Sequence, residues 1–151
     1  MQDRTTSQVK LYKPKYFTLP ELCTSERAKA LGIVNIPDFE DITKLLYLCE
    51  NILDPLREAW GKPLKVTSAF RTPALNTAIG GAKNSQHMCT GMEAAVDLDP
   101  GDLEQVKALA AVAKKTIFFD QLIIESVGSG SWLHVSTRMG GKNRLQCLSL
   151  S

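Results

Sequence analysis

The chain has 151 residues, 44% of them hydrophobic and 23% charged, with 10 glycines and 7 prolines, a balance that excludes a disordered, collagenous or low-complexity protein. Its formal charge of +2 comes from scattered residues with no Lys/Arg block and no interleaved aromatics, which argues against nucleic acid as a partner. No apolar run reaches the roughly 18 residues of a membrane span, so no transmembrane segment is expected.

One domain is the expected count, and a chain of this size buries roughly 68–70% of the surface its unfolded form exposes. It therefore needs neither disulfides nor a structural metal, and a bound metal is free to serve chemistry. Cys23, Cys49, Cys89 and Cys147 show no C-x-x-C spacing and read as reduced thiols.

Met1 to Lys15 is polar and lacks the apolar stretch of a signal peptide. We read residues 1–15 as an N-terminal arm, solvated over Lys10 to Lys15, ahead of a single domain spanning 16–151. Thr18-Leu19-Pro20-Glu21 has the form of a capping box, which predicts a helix from about Pro20 to Leu31 ended by Gly32. Asp38 then caps a segment whose Ile42, Leu45, Leu46, Cys49, Ile52, Leu53, Leu56 and Trp60 recur at three- and four-residue steps, the pattern of a helix buried along one face. Pro55 should kink it and Gly61 stop it.

Leu64 to Phe70 is β-prone, and Thr72-Pro73-Ala74-Leu75-Asn76 reads as a capped helical turn closed by Gly80-Gly81. Ala94 to Leu98 reads as a strand, and Asp102 opens a helix with apolar Leu103, Val106, Leu109 and Ala113. Strands at about Asp120 to Glu125 and Trp132 to Thr137 flank the hairpin connection Val127-Gly128-Ser129-Gly130, and a last strand is expected from Leu145 to Leu148. Helices first and strands later give an α+β domain, a small, mostly antiparallel sheet with helices packed on it.

The chain contains 2 histidines, His87 and His134, so any histidine-dependent site uses one or both. Each follows a Gly-rich connection, where a rigid scaffold displays ligands. Hydrolytic zinc takes three protein ligands from His and carboxylate and keeps a fourth position for water. Two histidines and one aspartate meet that count, a set that also suits iron or manganese.

Ser68-Ala69-Phe70-Arg71, Asn76, Gly80-Gly81, Ser85-Gln86-His87, Gly91, Ala95 and Asp97, followed by Phe119 to Glu125 and Trp132-Leu133-His134-Val135-Ser136, resemble the signature of the M15 peptidases over about residues 16 to 137. The resemblance implies a Hedgehog/D,D-peptidase-like fold and zinc-dependent hydrolysis of peptidoglycan stem peptides, as a D-Ala-D-Ala carboxypeptidase or an endopeptidase, of the kind found in bacteria and in phage endolysins. Residue by residue, His87 and His134 match the zinc-binding histidines and Asp97 the aspartate ligand. Arg71 matches an arginine that steadies the substrate carbonyl and the developing oxyanion. Ser85 and Gln86 fall beside the metal for a substrate carboxylate, and Trp132 is placed to line the cleft.

The chain departs from the family pattern twice. Met88 to Val96 separate His87 from Asp97, three residues more than the family spacing, so the segment around Cys89 to Glu93 must bulge for Asp97 to coordinate, with Glu93 as the substitute ligand. Cys89 as a fourth ligand would close the site to water. Ser131 stands where many relatives carry an acid, which moves the general base to Glu125, at the end of the apolar run Leu122-Ile123-Ile124. Asp120 reads as structural, bonding across the hairpin. The expected protein is a monomer made in the cytoplasm that acts at the cell wall, released as a phage lysin is or after loss of a leader. The alternative is a non-catalytic cell-wall-binding or phage structural module with a degraded metal site.

Overall fold

A computed structural model describes residues 11–151 and gives the expected α+β architecture. The first helix is divided. α1 (Leu19–Cys23) starts at the Thr18–Glu21 capping box, and α2 (Glu26–Leu31) starts at Ser25, whose hydroxyl accepts from the Ala28 amide at 3.1 Å. The break falls at Thr24, where the hydroxyl donates to the Pro20 carbonyl at 2.6 Å and the backbone turns extended. Two successive hydroxyl residues thus offer the backbone local partners that compete with the helical ladder. Gly32 ends α2 with φ 65°, a left-handed value that favours glycine.

α3 (Phe39–Leu48) carries a reciprocal box between Asp38 and Asp41, and α4 (Asp54–Trp60) stops at Gly61. Between them Cys49–Leu53 widens into a single π turn closed by the Asp54 amide on the Cys49 carbonyl. Pro55, which has no amide hydrogen to give the preceding turn, follows at once. The irregularity expected at Pro55 therefore sits one turn upstream of it.

The strands are β1 (Lys65–Ser68), β2 (Glu93–Asp99), β3 (Gln121–Val127), β4 (Gly130–Arg138) and β5 (Gln146–Leu150), with α5 (Pro73–Ala78) and α6 (Leu103–Thr116) between them. The sheet order is β1-β2-β4-β3-β5, antiparallel except where β5 runs parallel to β3. β3 and β4 are joined by the two-residue loop Gly128-Ser129, with Gly128 at φ 60° as such loops require at their first position.

One face of the sheet is apolar. Val96 and Leu98 on β2, Leu133 and Val135 on β4 and Leu122 on β3 pack in one core with Leu45, Leu48, Ile52 and Leu56 of the α3–α4 segment and Val106 and Leu109 of α6. Each fully buried leucine there contributes about 1.5–3 kcal/mol. At the N-terminal side, Tyr12 donates to Asp54 Oδ2 at 2.5 Å and the Lys15 amide to the same oxygen at 2.7 Å, tying the end of the expected arm to α4. Residues 1–10 of that arm lie outside the described residues. Among the described residues, no helix is long and apolar enough to cross a membrane.

Candidate metal centre

Alternation along the strands sends every second side chain to the face opposite the core. Asp97 on β2 pairs with His134 on β4, His134 with Ile123 on β3, and Ser68 on β1 with Asp97, so these side chains share that second face. His87 arrives from a 3₁₀ turn, Gln86–Met88. Two bonds pin that turn to the end of β1: the Arg71 amide donates to the His87 carbonyl at 2.9 Å, and His87 Nδ1 donates to the Ala69 carbonyl at 2.7 Å. The second bond fixes the tautomer and leaves Nε2 with its lone pair.

That lone pair points into a tight cluster. His87 Nε2 lies 3.2 Å from His134 Nδ1 and 3.2 Å from Asp97 Oδ1, and His134 Nδ1 lies 3.0 Å from the same oxygen. All three residues are buried. With the His134 proton on Nε2, three electron-pair donors face one another out of water and repel unless a cation sits among them; with it on Nδ1, that N–H donates to Asp97 instead. A tetrahedral zinc with bonds of about 2.0–2.2 Å holds its ligand atoms roughly 3.3 Å apart, close to the spacing found. The residues therefore fit a metal ion, and the fit comes from the donor set itself.

The electrostatics run the same way. Burial pushes the His87 imidazolium down, toward the neutral ligand form. For Asp97 burial alone would raise the carboxyl, but a positive charge in contact with it, here the protonated form of His87 or His134, outweighs it and holds it well below the usual carboxylate range, the response a bound cation would also draw. Arg71 is half-buried beside them. Its Nε donates to Ser68 Oγ at 3.1 Å, its Nη1 to Asn76 Oδ1 at 3.0 Å, and its Nη2 lies 3.7 Å from Asp97 Oδ2. Gly81 is what allows this clamp, because a Cβ there would stand 2.1 Å from Asn76 Oδ1. In the sequence Gly80-Gly81 reads as a helix stop and as part of the M15 signature, without this contact to Arg71 and Asn76.

The longer spacing between His87 and Asp97 is absorbed before β2 begins. Cys89 takes a left-handed φ of 55° and Gly91 one of 59°, so the chain doubles back at the end of the 3₁₀ turn. The Cys89 carbonyl accepts from the buried Lys44 ammonium of α3, which anchors the bulge. Asp97 consequently reaches the histidines. Glu93 does not, being held at the far end of β2 by Arg138 at 3.3 Å. Cys89 is buried, its thiol pushed up to about 12 by burial, and among the described residues the metal-ready cluster contains only His87, Asp97 and His134.

Glu125 lies on β3 opposite Trp132, on the same face as His134. Burial raises its carboxyl, the negative Asp97 adds to that, and His134 and Arg71 pull it back only in part. Trp132 is partly exposed, with a buried indole N–H that has no partner among the described residues. Ser85 accepts the His87 amide at 3.3 Å through its hydroxyl. Gln86 gives its amide nitrogen to Asp120 Oδ2 at 2.7 Å, leaving Oε1 buried and unpartnered.

Asp120 is a structural hub. It takes the Arg144 amide at 2.9 Å and the Arg144 guanidinium at 2.7 Å, while its own amide reaches the Ser136 carbonyl at 2.8 Å. The backbone bond runs toward β4, and the carboxylate also lies 3.5 Å from Arg138 Nε at the end of that strand, as the expected bonding across the hairpin requires. The carboxylate further ties the entry to β5 to the turn bearing His87, a role that spacing in the sequence does not reveal.

A buried tripod of two histidines and one carboxylate on the polar face of an antiparallel sheet is a set that can hold a metal ion with a position left open for chemistry. The chain belongs to the Peptidase M15 family, whose model matches residues 15–136, and the family carries the class of a metallopeptidase. No curated protein matches the chain.

Proposed function

We propose that the protein is a zinc-dependent peptidase that hydrolyses peptidoglycan stem peptides, as a D-Ala-D-Ala carboxypeptidase or an endopeptidase, acting as a monomer at the cell wall. The observation that carries this reading is the convergence of His87 Nε2, His134 Nδ1 and Asp97 Oδ1 within 3.0–3.2 Å of one another, inside a chain of the M15 family. These three residues would hold the ion. When bound, zinc supplies Lewis-acid polarisation of a carbonyl and a water whose pKa falls to about 7.

The remaining work falls to the chain's own side chains. Glu125, on the same face as His134 and raised by burial, accepts the proton of the attacking water and returns it to the leaving amine. Arg71, fixed by Ser68 and Asn76, offers a pre-oriented cation to the oxyanion that develops as the carbonyl is attacked. Ser85 beside His87 and the partly exposed Trp132 supply substrate contacts. The substrate carboxylate expected at Gln86 falls to its second amide N–H alone, since the first donates to Asp120 and Oε1 can only accept.

The test pairs elemental analysis of the purified protein with digestion of purified peptidoglycan, with and without a chelator. The expected result is close to one zinc per chain and chelator-sensitive release of peptide or D-alanine. Zinc without cleavage would replace this reading with the non-catalytic module, and no zinc after reconstitution would remove the metal from it.

A further inference from the structure

Among the described residues β1 is an edge strand, paired only with β2. A groove of about 680 Å³ is lined by all four residues of β1, by the corner between α1 and α2, and by Phe70, Leu75 and Ile79. The volume falls in the range of small-molecule and peptide pockets. Two of its lining residues also touch the metal centre, whose three ligands lie outside the groove: Ser68 pairs with Asp97, and Arg71 Nη2 lies 3.7 Å from its carboxylate. Arg71 therefore stands between the groove and the place where a scissile bond would sit.

Its charges are unevenly satisfied. Glu26 is paired with Lys29 at 3.0 Å, and the Glu21 carboxylate closes the α1 capping box. Arg27 and Lys65, which also line the groove, have no ion-pair partner among the described residues. With Glu26 paired to Lys29 and Arg71 held beside Asp97, the unpaired charges of the lining are the Glu21 carboxylate against the two cations Arg27 and Lys65, a net positive balance that favours a ligand bearing negative charge. An open strand edge asks for an extended backbone.

We propose that this groove binds an extended, carboxylate-bearing stretch of the peptide substrate, its main chain added alongside β1 and its carboxylate met by Lys65 and Arg27, with the scissile bond delivered at the Arg71 end. The proposal rests on the peptidase reading for the identity of the occupant. Lysine and arginine at the rim of a groove act mainly on affinity and specificity, and an added strand contributes main-chain hydrogen bonds that tolerate varied side chains. The site would thereby select for peptide length and charge beyond the residues that flank the cleaved bond.

The experiment uses the zinc-loaded protein and a phosphinate dipeptide analogue, alone and extended by three residues carrying a carboxylate side chain, at its amino end in one probe and its carboxy end in another. Affinities are measured by titration calorimetry. One extended probe should bind about tenfold tighter than the dipeptide analogue, the scale of one or two modest ionic contacts together with strand pairing. That gain should disappear in the Arg27→Glu/Lys65→Glu double variant, and it should also disappear when the extension is N-methylated, which removes its backbone donors without touching the protein.

No gain at either end overturns the proposal, as does a gain that survives both the charge reversal and the N-methylation. The two readings fail separately. A protein that shows the length-dependent gain but cleaves no peptide keeps the groove and loses the peptidase assignment, whereas one that cleaves stem peptide with no such gain keeps the assignment and loses the groove.

Discussion

The two faces of the sheet are built from alternate residues of the same strands and are buried to similar depth, yet they hold together by opposite means. On one face Val96, Leu98, Leu133 and Val135 are wholly buried among apolar partners, and every contact is satisfied without direction or charge. On the other, Asp97 and His134 are only 8% exposed, so they are nearly as dry, but their polar atoms have little except one another and His87 to turn to. Burial does not distinguish scaffold from site here. What distinguishes them is whether the buried atoms are content without a cation, and a shift of one residue along a strand crosses from one condition to the other.

The sharpest way to break that contrast is to remove a donor from the polar face. His134→Ala should abolish stoichiometric zinc binding and bring hydrolysis to background, read by elemental analysis and by peptide release, while the fold persists because the deleted ring contributes little to the apolar core. Glu125→Gln on the same face should separate the two properties. Zinc should stay bound and kcat should fall about 10²–10⁴-fold, the usual yield of a positioned acid–base group. A Glu125→Gln protein with near-normal turnover would take Glu125 out of the mechanism and leave the tripod intact.

The complementary change is one residue away. Leu133→Ala, beside His134 but pointing into the core, should lower unfolding free energy by about 2–5 kcal/mol in denaturant titration through lost burial and the cavity left behind. Zinc affinity of the folded protein should move less than tenfold. If Leu133→Ala instead released the metal, the two faces would be coupled through β4 and the residue-by-residue division drawn above would fail.

The division was legible in the sequence where it depends on local chemistry. The caps at Thr18, Asp38 and Asp102 and the stops at Gly32 and Gly61 are consequences of short-range hydrogen bonding and left-handed glycines, and they stand where the sequence puts them; the hairpin falls within the expected Val127–Gly130 connection, tightened to its two central residues. His87, Asp97 and His134 were legible from residue types and motif, and the structure brings them together. The rest depends on contacts between residues far apart in the chain. Lys44 lies on a helix read only for its apolar periodicity, yet its ammonium holds the bulge that lets Asp97 reach the histidines. Asn76 and Gly81 stand in the motif, but their close approach to Arg71, which is what they contribute, is a matter of side-chain geometry that no motif or periodicity reports. The split of the first helix was a matter of two hydroxyls outcompeting the ladder, and the parallel pairing of β5 with β3 depends on where Asp120 holds Arg144.

Asp120 offers the smallest effect and the one that joins the two faces. Burial would raise its carboxyl, but the Arg144 guanidinium and amide, with the Gln86 amide, pull it down to about 2 from an ordinary 3.8. A carboxyl held below its unfolded value contributes stability that is fully present above pH 3.8 and is lost as the pH falls through about 2. The linkage is roughly 2 kcal/mol. Unfolding free energies measured between pH 5 and 2 should therefore decline by about that amount beyond the decline of Asp120→Asn, which keeps an acceptor for Gln86 and removes the charge that Arg144 meets. Equal acid slopes in the two proteins would show that the Arg144 pairing adds nothing. If the slopes differ and Asp120→Asn also weakens zinc binding a few-fold at neutral pH, the loss must travel through Gln86 to the turn carrying His87, because Asp120 itself offers the metal nothing.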